Sequence, residues 1–533
     1  MKKIFKIYVL PVVMLLSVTG CKKSFDELSV NNNKPVNVPA SLLFNGILNN
    51  MADLPESQKE IYSQYYLYNY DYYGNNRYDL GSGDDYYTTL KNVLLMEKQA
   101  AATGGAAINP YEALGKFFKA YFFSKMSLEM GDIPMTEALK GLDNLEPKYD
   151  TQKAVMLQSL EWLDSANDDL DQLIKKPNDF GTGAGAVLSN DIYFNNDLTK
   201  WQKAVNALQI RLLVQLSKKT ADPDLKVATR FARIINTPAK YPLMTGTADN
   251  LQYVFVSPNN YYPQNPNNFG QSGSRKNTSA TYISLLTRLK DPRVFVTAEP
   301  ARDLVDNAKQ SPTDFASFVG ADAGLDLGVM YNNAGLQKYS FINRRYFYST
   351  YTGEPSVQIG YPELMFNIAE GISRGWAPGA NAETYYQAGI KASMASYGIP
   401  ETGIFLAHFY RPGSTDVKNA ANYDDYSVTA NFNTYYNQAG VKYTADATGI
   451  THILEQKYIA LFRHSGLESY FTYRRTGVPV FTTGPGTGNG SRIATRFKYP
   501  SVERTSNSKN YQDALASQYG GNDDINGVMW VLK

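Results

Sequence analysis

Apolar residues recur along much of the chain with the spacing of one helix face. Over 110–130, Leu114, Phe117, Phe118, Tyr121 and Phe122 fall at i, i+3 and i+4 positions, and over 154–175 the stripe is Leu160, Leu163, Leu170 and Ile174. Val205, Leu208, Leu212 and Leu216 form a third stripe after Trp201, and Ile450, Ile453, Leu454, Leu461 and Phe462 a fourth. The same pattern predicts helices at 39–52, 56–69, 86–102, 224–236, 279–290, 361–374, 381–397 and 466–473. Paired helices broken by short Gly/Pro segments such as GWAPGAN at 375–381 point to a predominantly all-α scaffold of stacked helix pairs, tetratricopeptide-like in architecture but without a strict repeat.

Between the helices lie long polar stretches at 69–88, 245–278, 300–360, 410–448 and 482–512. Loops of this length in a compact protein are functional or disordered, and their aromatic content argues for order.

The amino terminus has a different pattern. Lys2, Lys3 and Lys6 precede an apolar run from Ile7 to Val18, and small residues follow at Thr19 and Gly20, the three parts of a secretory leader. The 12-residue run is too short for a transmembrane helix, which needs about 20. Cys21, the sole cysteine, follows directly, so neither an intrachain disulfide nor a cysteine-based metal site explains it. Val18-Thr19-Gly20-Cys21 resembles a bacterial lipobox, which implies a lipidated Cys21 after removal of 1–20, with 21–38 as a polar tether and 39–533 as a single helical domain.

Composition narrows the chemistry. Lys+Arg 52 against Asp+Glu 50 gives no basic excess of the kind that binds phosphate backbones, so nucleic acid is not an expected partner. The histidines His408, His452 and His464 have no metal-binding spacing. NDDING at 522–527 imitates the start of a calcium loop but places Lys533 where a bidentate Glu is required, so no metal or cofactor is expected. Acidic pairs such as Asp84-Asp85 and Asp168-Asp169 read as solvated surface. No catalytic constellation emerges, and the chain is not expected to be an enzyme.

The 41 tyrosines, against 25 phenylalanines and 4 tryptophans, are the strongest bias. Many lie in Asn- and Gly-rich stretches, where a flat face and a hydrogen-bonding edge suit sugar rings. The first candidate contact is the loop 68–79, with Tyr70, Tyr72, Tyr73 and Tyr78 as platforms and Asn75, Asn76, Arg77 and Asp79 as hydroxyl partners. The alternative is that these tyrosines pack the loop onto the helices. A second candidate is 258–275, with Tyr261, Tyr262, Asn265 and Phe269, and a third is FINRRYFYSTY at 341–351.

Six ordered segments carry a family resemblance over nearly the whole mature chain. They are NNNKPVNVPASLLFNGIL at 31–48, LTRLKDPRV at 286–294, GYPELMFNIAEGISRGW at 360–376, AETYYQAGIKASMASYGI at 382–399, ILEQKYIALFRHSGLESYFTYRRTGVP at 453–479 and RFKYPSVERTSNSKNYQDAL at 496–515. The chain resembles the SusD/RagB-like nutrient-binding outer-membrane lipoproteins of Bacteroidetes, in their SusD-like subgroup. Gly371 stands where the family's usual residue is alanine. The resemblance implies a surface-exposed, lipid-anchored outer-membrane protein. It would bind a nutrient, usually an oligosaccharide, and form a lid over a SusC-like TonB-dependent transporter. Peptide is the alternative cargo, and a glycoside hydrolase on a helical scaffold the alternative class. Glu363, Glu370, Lys457, Glu468, Arg474 and Arg475 sit beside apolar stripes and are expected to form buried ion pairs that clamp helices.

Overall fold

The computed structural model describes residues 38–533 apart from positions 56, 178 and 465. The leader, Cys21 and nearly all of the tether lie outside the described residues. The longer helices are α1 (Ala40–Met51), α2 (Tyr87–Ala102), α3 (Pro110–Met130), α4 (Gln152–Lys175), α5 (Leu198–Gln215), α6 (Val227–Asn236) and α7 (Ala280–Arg288), then α8 (Leu327–Gly335), α9 (Tyr361–Ser373), α10 (Ala382–Ser396), α11 (Ala447–Ala460), α12 (Glu468–Thr476) and α13 (Ser508–Tyr519). Successive helices pack as neighbours: α1 on α2, α2 on α3, α3 on α4, α4 on α5, and α9 on α10. The fold is mostly helical and built from helix pairs, as the periodicity predicts.

Local chemistry sets the helix ends. The Asn109 side chain accepts the Tyr111 and Glu112 N–H groups at the start of α3, with Pro110 in the first turn, where its missing N–H does no harm. Thr151 caps α4 and Asp197 caps α5 in the same way. Helix α3 is buried along nearly its whole length, which is why its stripe extends all round.

Two large hydrophobic cores share one helix, and a third, small cluster gathers Leu67, Ala321, Ala323, Met330 and Tyr339. The first is made by α1–α6 and is densest around Trp201, whose ring lies 5.1–6.1 Å from those of Phe44, Phe117, Phe118 and Phe194. The second gathers α7, α10, α11, Tyr65 and Tyr66, and the inward-facing residues of 405–436, whereas Leu251 and Ile359 belong to the first. Helix α9 serves both, with Leu364, Met365 and Ile368 in the first core and Phe366 and Ala369 in the second. Two glycines let it pack closely. A Cβ on Gly371 would lie 2.3 Å from the Phe231 ring, and one on Gly389 of α10 would lie 2.8 Å from the Phe366 ring.

Charged and polar residues clamp the helices to one another. Arg211 of α5 grips Glu363 of α9 through Nε (2.7 Å) and Nη2 (2.5 Å), and Arg475 of α12 grips Glu370 at 2.5 and 2.9 Å. Gln215 donates to Glu468 at 2.9 Å, Lys457 donates to the Thr472 hydroxyl at 3.3 Å, and Arg474 donates to the carbonyls of Leu128 and Thr495, both at 2.7 Å. Arg293, fully buried, pairs with Asp291 and reaches Ser393 on α10 and Gln456 on α11. A pair so deep holds only because both charges are matched and hydrogen-bonded.

The strands form three two-stranded antiparallel sheets among the described residues: β1 (Tyr66–Tyr68) with β3 (Lys276–Thr278), β2 (Leu251–Tyr253) with β4 (Ser356–Ile359), and the hairpin of β5 (Thr402–Tyr410) with β6 (Tyr423–Asn431). In the hairpin, Phe405, Ala407 and Phe409 alternate inward.

Three elements differ from the sequence expectations. The helix expected over 56–69 is only Gln58–Tyr62 before β1. Gln64 takes a left-handed φ of 51°, and its amide is held by Thr281, Thr482 and the Thr482 carbonyl, while the Tyr65 ring stacks on Tyr458 at 4.5 Å. Tertiary contacts outweigh helical periodicity there. The polar stretch 300–360 contains α8, capped by Asp326, and the stretch 482–512 runs into α13.

Candidate ligand-binding site

The loop after β1 is closed by its own asparagine. Asn76 accepts the Tyr68 N–H and donates to the Tyr68 carbonyl, both at 2.8 Å, so the chain between them is pushed outward. Beyond it Tyr78 turns inward, donating its hydroxyl to the Tyr62 carbonyl at 2.8 Å, and burial pushes that phenol well above its ordinary range. Tyr70, Tyr72 and Tyr73 stay at the tip, with Tyr72 82% exposed. The Tyr72 and Tyr73 rings meet edge to face at 5.2 Å, and Tyr70 lies 6.1 Å from Tyr73. Asn75, Arg77 and Asp79 are exposed on the same loop, the last two paired at 2.6 Å.

A fourth ring joins from a distant part of the chain. Tyr331, on α8, lies 5.4 Å from Tyr70 at an interplanar angle of 33° and is 45% exposed. The Arg275 guanidinium lies over Tyr70 at 4.9 Å and over Tyr73 at 5.9 Å, close enough for cation–π attraction to hold the rings.

This aromatic patch borders a cavity of about 350 Å³ lined by Asn69, Phe269, Arg275, Tyr331, Arg344 and Tyr410, among others. The three stretches singled out above meet here: the first through Asn69, the second through Phe269 and Arg275, the third through Phe341 and Arg344. Asn69 fastens the first to the second, donating its N–H to the Arg275 carbonyl at 3.1 Å and its side chain to Asn277 at 2.5 Å. Arg344 is fixed by Glu299, which offsets the effect of burial and raises the guanidinium's pKa, so its charge persists.

Other named residues lie elsewhere. Tyr262 is buried, donating to Glu354 at 3.1 Å and accepting from Arg463 at 2.6 Å. Asn265 is buried and donates to the Tyr262 carbonyl at 2.7 Å. Tyr261 is exposed and packs on Tyr351 at 4.7 Å, away from the cavity lining. Tyr331 was not foreseen. Its only sequence signal is Asp326, a capping residue ahead of a short apolar run.

A larger cavity of about 560 Å³ lies beside β6, lined by Phe295, Phe432 and Tyr435 among others. Its rings are committed to the interior: Phe295 packs on Phe315 and Phe318, Phe432 stacks on Tyr436, and the Tyr435 hydroxyl bonds Asp291. The smaller cavity, with Tyr331 in its lining and Tyr70 packed on Tyr331 to extend the aromatic surface outward, is better suited to a flat polar ligand.

The three histidines are apart, and His452 is engaged with the Lys442 carbonyl at 2.9 Å. Among the described residues no cluster of three or more His, Cys, Asp or Glu side chains has metal-binding geometry. In the 522–527 stretch, Asp523 pairs with Arg496 at 2.7 Å.

Comparison with known proteins agrees with this architecture. Residues 32–500 match the SusD-like family described as "Starch-binding associating with outer membrane". A SusD homolog from Bacteroides fragilis NCTC 9343 superposes with a TM-score of 0.78 at 29% identity, covering 93% of this chain and 100% of its own. A second SusD homolog from that organism gives 0.74 at 28% identity, covering 93% of this chain and 100% of its own. A chitin-binding SusD homolog from Flavobacterium johnsoniae shares the fold, with a TM-score of 0.66 at 21% identity over 93% of this chain and 98% of its own. Among curated proteins, none matches the chain. The chain therefore belongs to the SusD-like family, whose members are nutrient-binding, non-catalytic proteins of the outer membrane.

Proposed function

We propose that the protein captures an oligosaccharide at the patch of Tyr70, Tyr72, Tyr73 and Tyr331 and passes it to a SusC-like TonB-dependent transporter. The observation that carries this reading is the exposed cluster of four tyrosines bordering a cavity of about 350 Å³. Ring faces take the C–H side of a sugar, while phenol hydroxyls and the exposed Asn75, Arg77 and Asp79 take its hydroxyl rim. No covalent step is involved: the ligand is bound, held and released. The chitin-binding relative from Flavobacterium johnsoniae supports a glycan as the cargo class. The protein stands on the cell surface, anchored through a lipidated Cys21, with 21–38 as tether and 39–533 working as one unit.

Isothermal titration of the mature chain against oligosaccharides and peptides tests the reading. One glycan class should bind, and Tyr70→Ala and Tyr331→Ala should each weaken it about five- to thirtyfold, taking about 1–2 kcal/mol per stacked ring. Binding unaffected by both variants, or binding of peptides alone, would overturn it.

A further inference from the structure

The cavity beside the tyrosines is lined by four arginines, Arg275, Arg302, Arg344 and Arg411, and by no acidic side chain. Three of the four are already matched: Arg302 with Asp306, Arg344 with Glu299, and Arg411 with Asp424 at 2.6 Å. Those three carboxylates are outside the lining. Arg275 differs. Among the described residues no carboxylate lies within ion-pair distance of it, and its guanidinium carbon lies 4.9 Å from the Tyr70 ring centre and 5.9 Å from that of Tyr73. Cation–π attraction to the two rings positions the guanidinium while its N–H groups keep their capacity to donate to an oxyanion. A half-buried cation without a counter-ion, at the boundary of an aromatic platform and a cavity without acids, is arranged to be completed by the ligand.

We propose that the preferred ligand is an acidic glycan whose carboxylate or sulfate group is bound by Arg275 while an adjacent sugar ring rests on the tyrosines. The inference rests on the oligosaccharide reading above and specifies its substrate class. Both oxyanions match a guanidinium edge; a uronic acid offers two coplanar oxygens, which a bidentate contact favours.

The test uses the mature full-length chain on immobilised glycans in matched pairs: oligogalacturonides and their methyl esters, sulfated and unsulfated chondroitin disaccharides, and neutral chito- and malto-oligosaccharides. An acidic member should bind at least about tenfold more tightly than its neutral partner, with the gap shrinking as salt rises. Arg275→Gln should weaken the acidic glycan about tenfold more than it weakens the neutral partner, whose smaller loss reports only the loosened ring platform. Arg275→Lys, which keeps the charge but loses the fork, should restore part of the loss for sulfate and less for uronate. Uronate preference over sulfate, or the reverse, identifies the oxyanion. Neutral glycans binding as well as acidic ones, with Tyr70→Ala abolishing both and Arg275→Gln affecting neither, would overturn this inference and leave the site reading standing. Binding indifferent to Tyr70→Ala, or absent for every glycan, would overturn both, as would exclusive binding of an acidic peptide.

Discussion

Glu370 provides a quantitative test of how α9, the helix common to both cores, is fastened to α12. Its carboxylate is fully buried in α9 and receives both terminal nitrogens of Arg475 from α12, with Arg374 beside it. Burial pushes its pKa up, but Arg475 and Arg374 together outweigh this and bring it from the ordinary 4.5 to about 2. That difference corresponds to about 3 kcal/mol favouring the folded state. Because the folded pKa is depressed, the contribution is present in full above pH 4.5 and is lost as pH falls through about 2. Glu370→Gln removes the charge, keeps the shape and strands Arg475, so the loss at pH 7 should be about 3–5 kcal/mol. The pH dependence is the more specific signature. From pH 4.5 to 3 this group alone should cost the wild type about 2 kcal/mol, a slope that the variant lacks. Urea unfolding followed by fluorescence and by circular dichroism, at pH 7, 5, 4 and 3, reads both quantities, and coincidence of the two probes checks cooperativity. The gap between wild type and variant should narrow by about 2 kcal/mol toward pH 3. A gap independent of pH, or a variant as stable as wild type at pH 7, would show that the Glu370 charge does not stabilise the fold.

Three further outcomes are expected. Glu129 is buried, with Oε2 accepting the Asp84 N–H at 2.7 Å, and burial together with the charge of Asp84 raises its pKa to about 7. A raised pKa favours folding below pH 4.5 and loses that advantage as pH rises through 7, so Glu129→Gln should gain up to about 3 kcal/mol over wild type at pH 8 and nothing at pH 4, read by thermal unfolding. Gly371→Ala should destabilise despite better helix propensity, because about 1–3 kcal/mol of overpacking against Phe231 exceeds or matches a gain of about 1; Phe231→Leu should rescue it, and a more stable single variant would contradict the packing argument. Cys21→Ser should move the protein from the membrane fraction to the soluble one and abolish acyl labelling; retention in the membrane would contradict the lipid anchor proposed above.

The helices with long stripes were legible because a buried face repeats every three to four residues whatever it packs against. The segment 56–69 was not, because Gln64 is bent by partners more than two hundred residues away, Thr281 and Thr482, and no local pattern encodes them. The candidate site divides along the same line. Composition singled out the three stretches that meet at the cavity, but not which tyrosines face out. Tyr78 and Tyr262 share their stretches with Tyr70 and Tyr261, yet each finds a buried carbonyl or carboxylate and turns inward. Tyrosine serves cores and surfaces equally, so the choice is made by the partner. Gly371 reads as a departure in the sequence, and the Phe231 ring beside it supplies its physical reason.

The most direct measurement is a crystal structure of the chain with an oligosaccharide bound. A sugar ring should lie on Tyr70, Tyr72 or Tyr331, with the rest of the ligand reaching toward Arg275 in the cavity of about 350 Å³. A ligand seated instead in the cavity of about 560 Å³ beside β6, with the four tyrosines bare, would contradict this placement.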